Sequence, residues 1–143
     1  MADRNPGCDF ITFVLGSFEP STGRFTYVRA GHVPPYLRKA SGELTRLDAL
    51  SGPPLGLDET ARYRPGNATL GSGERLLIVT DGFIDAQDSN DAPYGDARVA
   101  AFVAGVAPDE ASPLQRLYDD VRAFEQGQPA FDNKAAVMLT LGP

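Results

Sequence analysis

Leu76, Leu77, Ile78 and Val79 follow one another with no polar residue between them, and Thr80-Asp81-Gly82 comes directly after. A strand half-exposed on a sheet alternates apolar and polar residues. An unbroken apolar run bounded by turn residues reads instead as a strand buried on both faces. Such a strand belongs in the middle of a sheet, yet this one ends on a carboxylate. Asp-Gly between apolar segments has the composition of a hairpin turn, so Asp81 is either a turn residue or a ligand for something bound at the strand end.

The neighbouring segments set the fold class. FITFVLGSF (10–18) is rich in β-branched and aromatic residues, EPSTG supplies a turn, and RFTYVRAG (24–31) alternates Phe25 and Tyr27 with outward polar residues; together they predict an antiparallel hairpin. PYLRKASGELTRL predicts a second hairpin turning at Ser41-Gly42, and LSGPPLGL (50–57) is too rich in Pro and Gly for regular structure. ARYRPGNATL offers a weaker strand. Val99, Phe102, Val103 and Val106 then fall at helical spacing, with Asp96 placed to cap the start and Pro108 to end the helix. A second helix is predicted from Ser112, which forms a capping-box pattern with Gln115 and precedes Pro113, and its apolar stripe is Leu114, Leu117, Val121 and Phe124. KAAVMLTL (134–141) closes the chain as an apolar strand. Strands, two helices and a final strand predict an α+β domain with helices packed on a largely antiparallel sheet.

A chain of 143 residues fits one domain with a substantial core. No apolar stretch approaches the length of a membrane span. MADRNPGCDF lacks the apolar centre of a signal peptide. The single cysteine, Cys8, excludes an intrachain disulfide and suits a cytoplasmic protein. A net charge of −6 without a Lys/Arg cluster argues against broad nucleic-acid binding. An acidic chain that handles phosphate needs another source of positive charge, and a bound metal is the obvious one.

Two carboxylates stand out by position: Asp81 at the end of the most apolar strand, and Asp132 in Asp132-Asn133 just before the last one. If those strands are neighbours, the two acids lie close together and repel unless a cation sits between them. Hard divalent ions such as Mg²⁺ or Mn²⁺ favour such oxygen ligands. Asp132-Asn133 is equally well formed for a turn or cap. Asp119-Asp120 fall on the polar face of the second helix and read as solvated, while Asp88, Asn90 and Asp91 read as a loop without calcium-site spacing. His32, the only histidine, follows Ala-Gly and reads as a hydrogen-bonded structural residue; one histidine excludes a His-dominated zinc site. No P-loop or dinucleotide fingerprint is present, and Cys8, with no histidine nearby, is a poor nucleophile.

DFITFVLGSFEPSTGRFTYVRAGHVPPYLRKASGELTRL, GPPLGL, GERLLIVTDGFIDAQD, YGDARV and FDNKAAVMLTL occur in an order that resembles the SpoIIE/RsbU-type serine phosphatases of the metal-dependent PPM family, over about residues 9–141. Each motif is weak alone; their order and spacing are specific. The resemblance implies a sandwich of two antiparallel sheets flanked by helices, with a two-metal Mn²⁺/Mg²⁺ centre at one end. It implies that Asp81 and Asp132 are metal ligands that act through a metal-activated water, which attacks the phosphoserine phosphorus with no covalent enzyme intermediate. Gly82, Asp85 and Asn133 take supporting places, and the Ala30–Pro35 segment matches a family signature without supplying a ligand. The implied partner is a phosphorylated regulatory protein of the anti-sigma-factor-antagonist type.

Family members also carry an Asp-x-x-Gly-His-Gly segment upstream of the FITF-like strand, whose Asp bridges the metals. These 143 residues hold no such segment, and Asp9 matches an ordinary position before the strand. The expectation is therefore a single partial phosphatase domain spanning 1–143, incomplete at its N-terminus. The alternative is a catalytically silent module that acts by protein–protein binding. A partial sandwich is expected to expose sheet surface and to self-associate through it.

Overall fold

A computed structural model describes residues 9–49, 51–107, 109–129 and 132–142. The expectations for Cys8 and Pro108, and the first residue of the 50–57 loop, lie outside the described residues. The element order is β1 (Phe13–Glu19), β2 (Arg24–Ala30), β3 (Tyr36–Arg38), β4 (Leu44–Arg46), β5 (Gly66–Thr69), β6 (Arg75–Val79), α1 (Asp81–Ile84), α2 (Asp96–Ala104), α3 (Pro113–Glu125) and β7 (Ala136–Thr140). The strands form two antiparallel sheets, β1-β2-β5 and β4-β3-β6-β7. Both predicted hairpins are present, and the Pro/Gly-rich stretch makes only isolated bridges such as Ile11 with Leu55.

The side-chain period of two explains why β6 is apolar throughout. Leu76 joins Phe25, Tyr27, Leu37, Leu47 and Leu70 in the layer between the sheets, and Ile78 packs against it. Leu77 and Val79 point the other way, into a layer shared with Tyr36 and with Val99, Phe102, Val103, Leu117 and Val121 of α2 and α3. A strand with a sheet on one side and helices on the other has no face left for polar residues.

The helices differ from expectation at their caps. Asp96 is the first residue of α2, and Gly95 occupies the cap position with no side-chain bond. The Asp96 carboxylate is taken instead by the Tyr36 hydroxyl and by the Arg46 guanidinium, which also lies 4.1 Å over the Tyr36 ring. Burial, reinforced by the bond to Asp96, pushes the Tyr36 hydroxyl well above its ordinary pKa, so it stays a donor. At α3, Pro113 takes the first turn as predicted, but Ser112 caps nothing; Gln115 turns outward to donate to Asp119 at 2.9 Å. Asp120 is not merely solvated, because it accepts the Tyr94 hydroxyl.

The expected exposed sheet surface is present. Phe13 and Leu15 lie on the outer face of edge strand β1, 46% and 62% exposed, beside exposed Phe10 and Ile11. Among the described residues, no helix is long and apolar enough to cross a membrane.

The two-sided burial of β6 makes its centre sensitive to truncation. Leu77→Ala is expected to lower unfolding free energy by about 2–5 kcal/mol in urea titrations. Leu57→Ala, at a half-exposed loop position, should stay within about 0.5 kcal/mol.

Candidate metal centre

The register places several loops at one end of the four-stranded sheet. Tyr36 opposes Leu77 and Arg46, while Val79 opposes Ala136. The end of β6, the starts of β3 and β7 and the end of β4 therefore coincide. Asp81, the Ala30–Pro35 loop and Asp132-Asn133 all lead into or out of strands at that end. The Ala30–Pro35 loop is packed on the Pro/Gly-rich one: Gly31 has φ +66°, its amide donates to the Gly52 carbonyl at 3.1 Å, and a Cβ on it would lie 2.4 Å from Pro54. His32 makes a 2.9 Å Nδ1–H contact to the Val33 carbonyl, in keeping with a structural residue.

Asp81-Gly82 does not form the hairpin turn that its composition suggests. It opens the one-turn helix α1, because the antiparallel neighbour of β6 is β7, from the far end of the chain. Phe83 drops into the helix-side core, which leaves Asp81 exposed at the helix start. Thr80 is extended, and its side chain caps no amide of α1. It reaches across to β7 instead: its amide donates to the Ala135 carbonyl at 3.0 Å, and its Oγ1 accepts the Ala135 amide at 3.0 Å and donates to the Asn133 carbonyl at 3.2 Å.

Gly82 completes the contact. A Cβ there would sit 2.3 Å from the Asn133 carbonyl oxygen and 3.4 Å from the Asp132 carbonyl carbon. The backbone following Asp81 thus lies directly against the backbone of Asp132-Asn133. Both acids are exposed, and each uses Oδ1 to accept the next residue's amide, at 3.0 Å for Asp81 and 2.6 Å for Asp132. A carboxylate has about four lone-pair sites, so one backbone bond leaves oxygen for a hard cation. The donor chemistry fits Mn²⁺ or Mg²⁺, with two carboxylates from this chain. Among the described residues no group of three or more His, Cys, Asp or Glu is placed to hold a metal.

Asp85 closes α1, its amide donating to the Asp81 carbonyl at 2.8 Å, and its own side chain is exposed. Asn133 contributes its carbonyl to Thr80. Two contributors to this end escaped the sequence reasoning. Thr80 was signalled by being the first polar residue after the apolar run. Lys134, whose Nζ lies 2.6 Å from Glu125 Oε1, had no local signal.

A family model described as Stage II sporulation protein E (SpoIIE) matches residues 1–141. Protein IcfG of Synechocystis sp. is 29% identical over 124 residues, covering 87% of this chain but 19% of its own length. The phosphatase domain of the cell fate determinant SpoIIE from Bacillus subtilis, in a Mn-presoaked crystal, superposes with TM-score 0.71 at 14% identity, over 92% of this chain and 56% of that one. The RsbU and RsbW domains of Rv1364c from Mycobacterium tuberculosis give TM-score 0.66 at 26% identity, over 95% and 37%. The chain thus spans about half or less of the proteins it matches.

Alanine normally improves a helix relative to glycine by up to about 1 kcal/mol. At Gly82 the sign should invert: Gly82→Ala is expected to cost about 1–3 kcal/mol, because the methyl meets a backbone carbonyl that cannot yield without moving the Asp132 loop. Urea unfolding checks it, and a stabilised variant would contradict the close approach.

Proposed function

The chain belongs to the SpoIIE family of PPM-type protein phosphatases, and we propose that it serves metal-dependent hydrolysis of phosphoserine on a small regulatory protein of the anti-sigma-factor-antagonist type. The observation that carries this reading is the close approach of Gly82 to Asp132-Asn133, which brings together the backbone segments that carry two exposed acids in a chain of net charge −6. Asp81 and Asp132 would hold Mn²⁺ or Mg²⁺, supported by Gly82, Asp85 and Asn133. Such ions, when bound, supply positive charge toward phosphoryl oxygens and lower the pKa of a water. The chain's own part is placement. Buried Phe83 fixes α1, so the Asp81 carboxylate projects from a rigid strand end, and Thr80 holds the Asp132 segment beside it. The exposure of both acids keeps the strand end open to a protein-borne phosphate. The substrate class rests on family membership.

A second reading, a silent module that acts by protein binding, is favoured by one observation: among the described residues no group of three or more His, Cys, Asp or Glu is placed to hold a metal. Turnover separates the two. In the protein carrying this chain, Mn²⁺-dependent hydrolysis of p-nitrophenyl phosphate should fall at least roughly tenfold in Asp81→Asn and in Asp132→Asn, since loss of even an outer partner of a metal ligand costs that much. Parental activity in both variants would remove them from the metal site. Absence of metal-dependent turnover in the parent protein would favour the binding module.

The apolar outer face of β1 supports self-association of the 143-residue chain, with a second copy covering Phe13 and Leu15. Sedimentation should show a concentration-dependent dimer that Leu15→Lys shifts toward monomer. A parent chain that stays monomeric at high concentration would contradict it.

A further inference from the structure

The ion pairs seen among the described residues are not alike. Lys39–Glu74, Arg46–Asp96 and Arg116–Glu110 each have a member at least 33% exposed, whereas Lys134 and Glu125 are 5% and 7% exposed at 2.6 Å. Exposed pairs contribute little to stability, because water and salt screen them. A pair buried on both sides loses so much hydration that apolar residues in its place are often as stable or more so. Its presence therefore calls for a reason other than stability.

Its position supplies one. Glu125 is the last residue of α3, where a carboxylate meets the negative end of the helix dipole. The residue does not help its own helix, and the Lys134 ammonium offsets both that repulsion and the burial. α3 is seated by fully buried Leu117 and Val121, so Glu125 sits on a rigid element. Lys134 lies two residues after Asp132 and one before Ala135, which is bonded to Thr80. The segment from Asp132 to Ala135 is thereby held from two directions, by Thr80 and Gly82 on the β6 side and by Glu125 on the α3 side.

We propose that the buried Glu125–Lys134 pair is a positioning device for Asp132, fixing the segment that presents its carboxylate beside Asp81 and so setting the cation affinity of this end of the sheet. Lys134 is a positioning residue, and the proposal rests on the metal reading of Asp81 and Asp132 given above. Because the pair is neutral as a unit, it acts through geometry and not through net charge at the site.

The test uses the 143-residue chain, with Mn²⁺ binding followed by electron paramagnetic resonance and amide hydrogen exchange of residues 133–135 measured without metal. Lys134→Arg should stay within about threefold of the parent in affinity, since it keeps the charge and the reach. The Glu125→Met/Lys134→Met double variant leaves net charge unchanged and should keep or raise the melting temperature. It should nonetheless weaken Mn²⁺ binding by about 10–100-fold and speed exchange at 133–135. A folded double variant with parental affinity and parental exchange overturns the proposal. If that variant fails to fold, Glu125→Asp, which shortens the reach by one methylene, takes its place with the same two outcomes. Asp81→Asn and Asp132→Asn serve as controls. If neither alters Mn²⁺ binding, the metal reading fails; unchanged exchange at 133–135 in the pair variants would then overturn the positioning role as well.

Discussion

The pairing of β6 with β7 is the constraint on which the rest of this end of the molecule depends. β6 is covered by the first sheet on one side and by α2 and α3 on the other, so its register toward β7 is fixed by burial on both faces. A slip of one residue would exchange the faces of every β7 side chain and move the preceding segment by about 3.3 Å. Val79 opposite Ala136 makes Thr80 oppose Ala135, and that in turn brings Gly82 onto the Asn133 carbonyl. The neighbourhood of Asp81 and Asp132 is thus a consequence of core packing several residues away.

The electrostatics of the pair follow from where that packing stops. Both carboxylates emerge at the sheet end, exposed, where water and salt moderate their repulsion over about 8–10 Å. Buried carboxylates in the same arrangement would have to share a proton or keep a metal permanently. Exposure leaves both acids open to solvent, while buried Phe83 anchors α1 in the helix-side core.

The parts of this architecture governed by periodicity were legible in the sequence. Alternation in 24–30, the unbroken run at 76–79 and the helical spacing of Val99, Phe102 and Val103 all report burial directly, while Val106, expected on the same stripe, is buried beyond the end of α2 at Ala104. What was not legible depended on partners distant in sequence. Asp81-Gly82 has the composition of a hairpin turn, but composition does not reveal that the neighbouring strand comes from 136–140. Asp96 has a capping side chain, yet Tyr36 and Arg46, at least fifty positions earlier, compete for it and win. Ser112 and Gln115 satisfy the capping-box pattern, but Ser112 has φ −136° and ψ 55° and makes no side-chain cap bond, while Gln115 finds Asp119 one turn on. Glu125 and Lys134 are separated by a loop that no local rule connects.

Three restraints of different physical kind converge on the segment after Asp132: steric contact at Gly82, hydrogen bonds at Thr80 and charge at Glu125–Lys134. Immobilising a flexible side chain costs about 0.5–1.5 kcal/mol on binding. A cage of many ligands spreads such costs over many bonds, whereas the proposed site, with two carboxylates from this chain, would have few bonds to offset them. Ordering the backbone before a cation arrives is then worth proportionately more. Steric contact and hydrogen bonds act only along the β6 side and would leave the segment free to hinge about it. A restraint from α3 removes that hinge, and burying a charge pair is a physically reasonable way to make it, because an unpaired partner left in the core would cost several kcal/mol whenever the segment swung away.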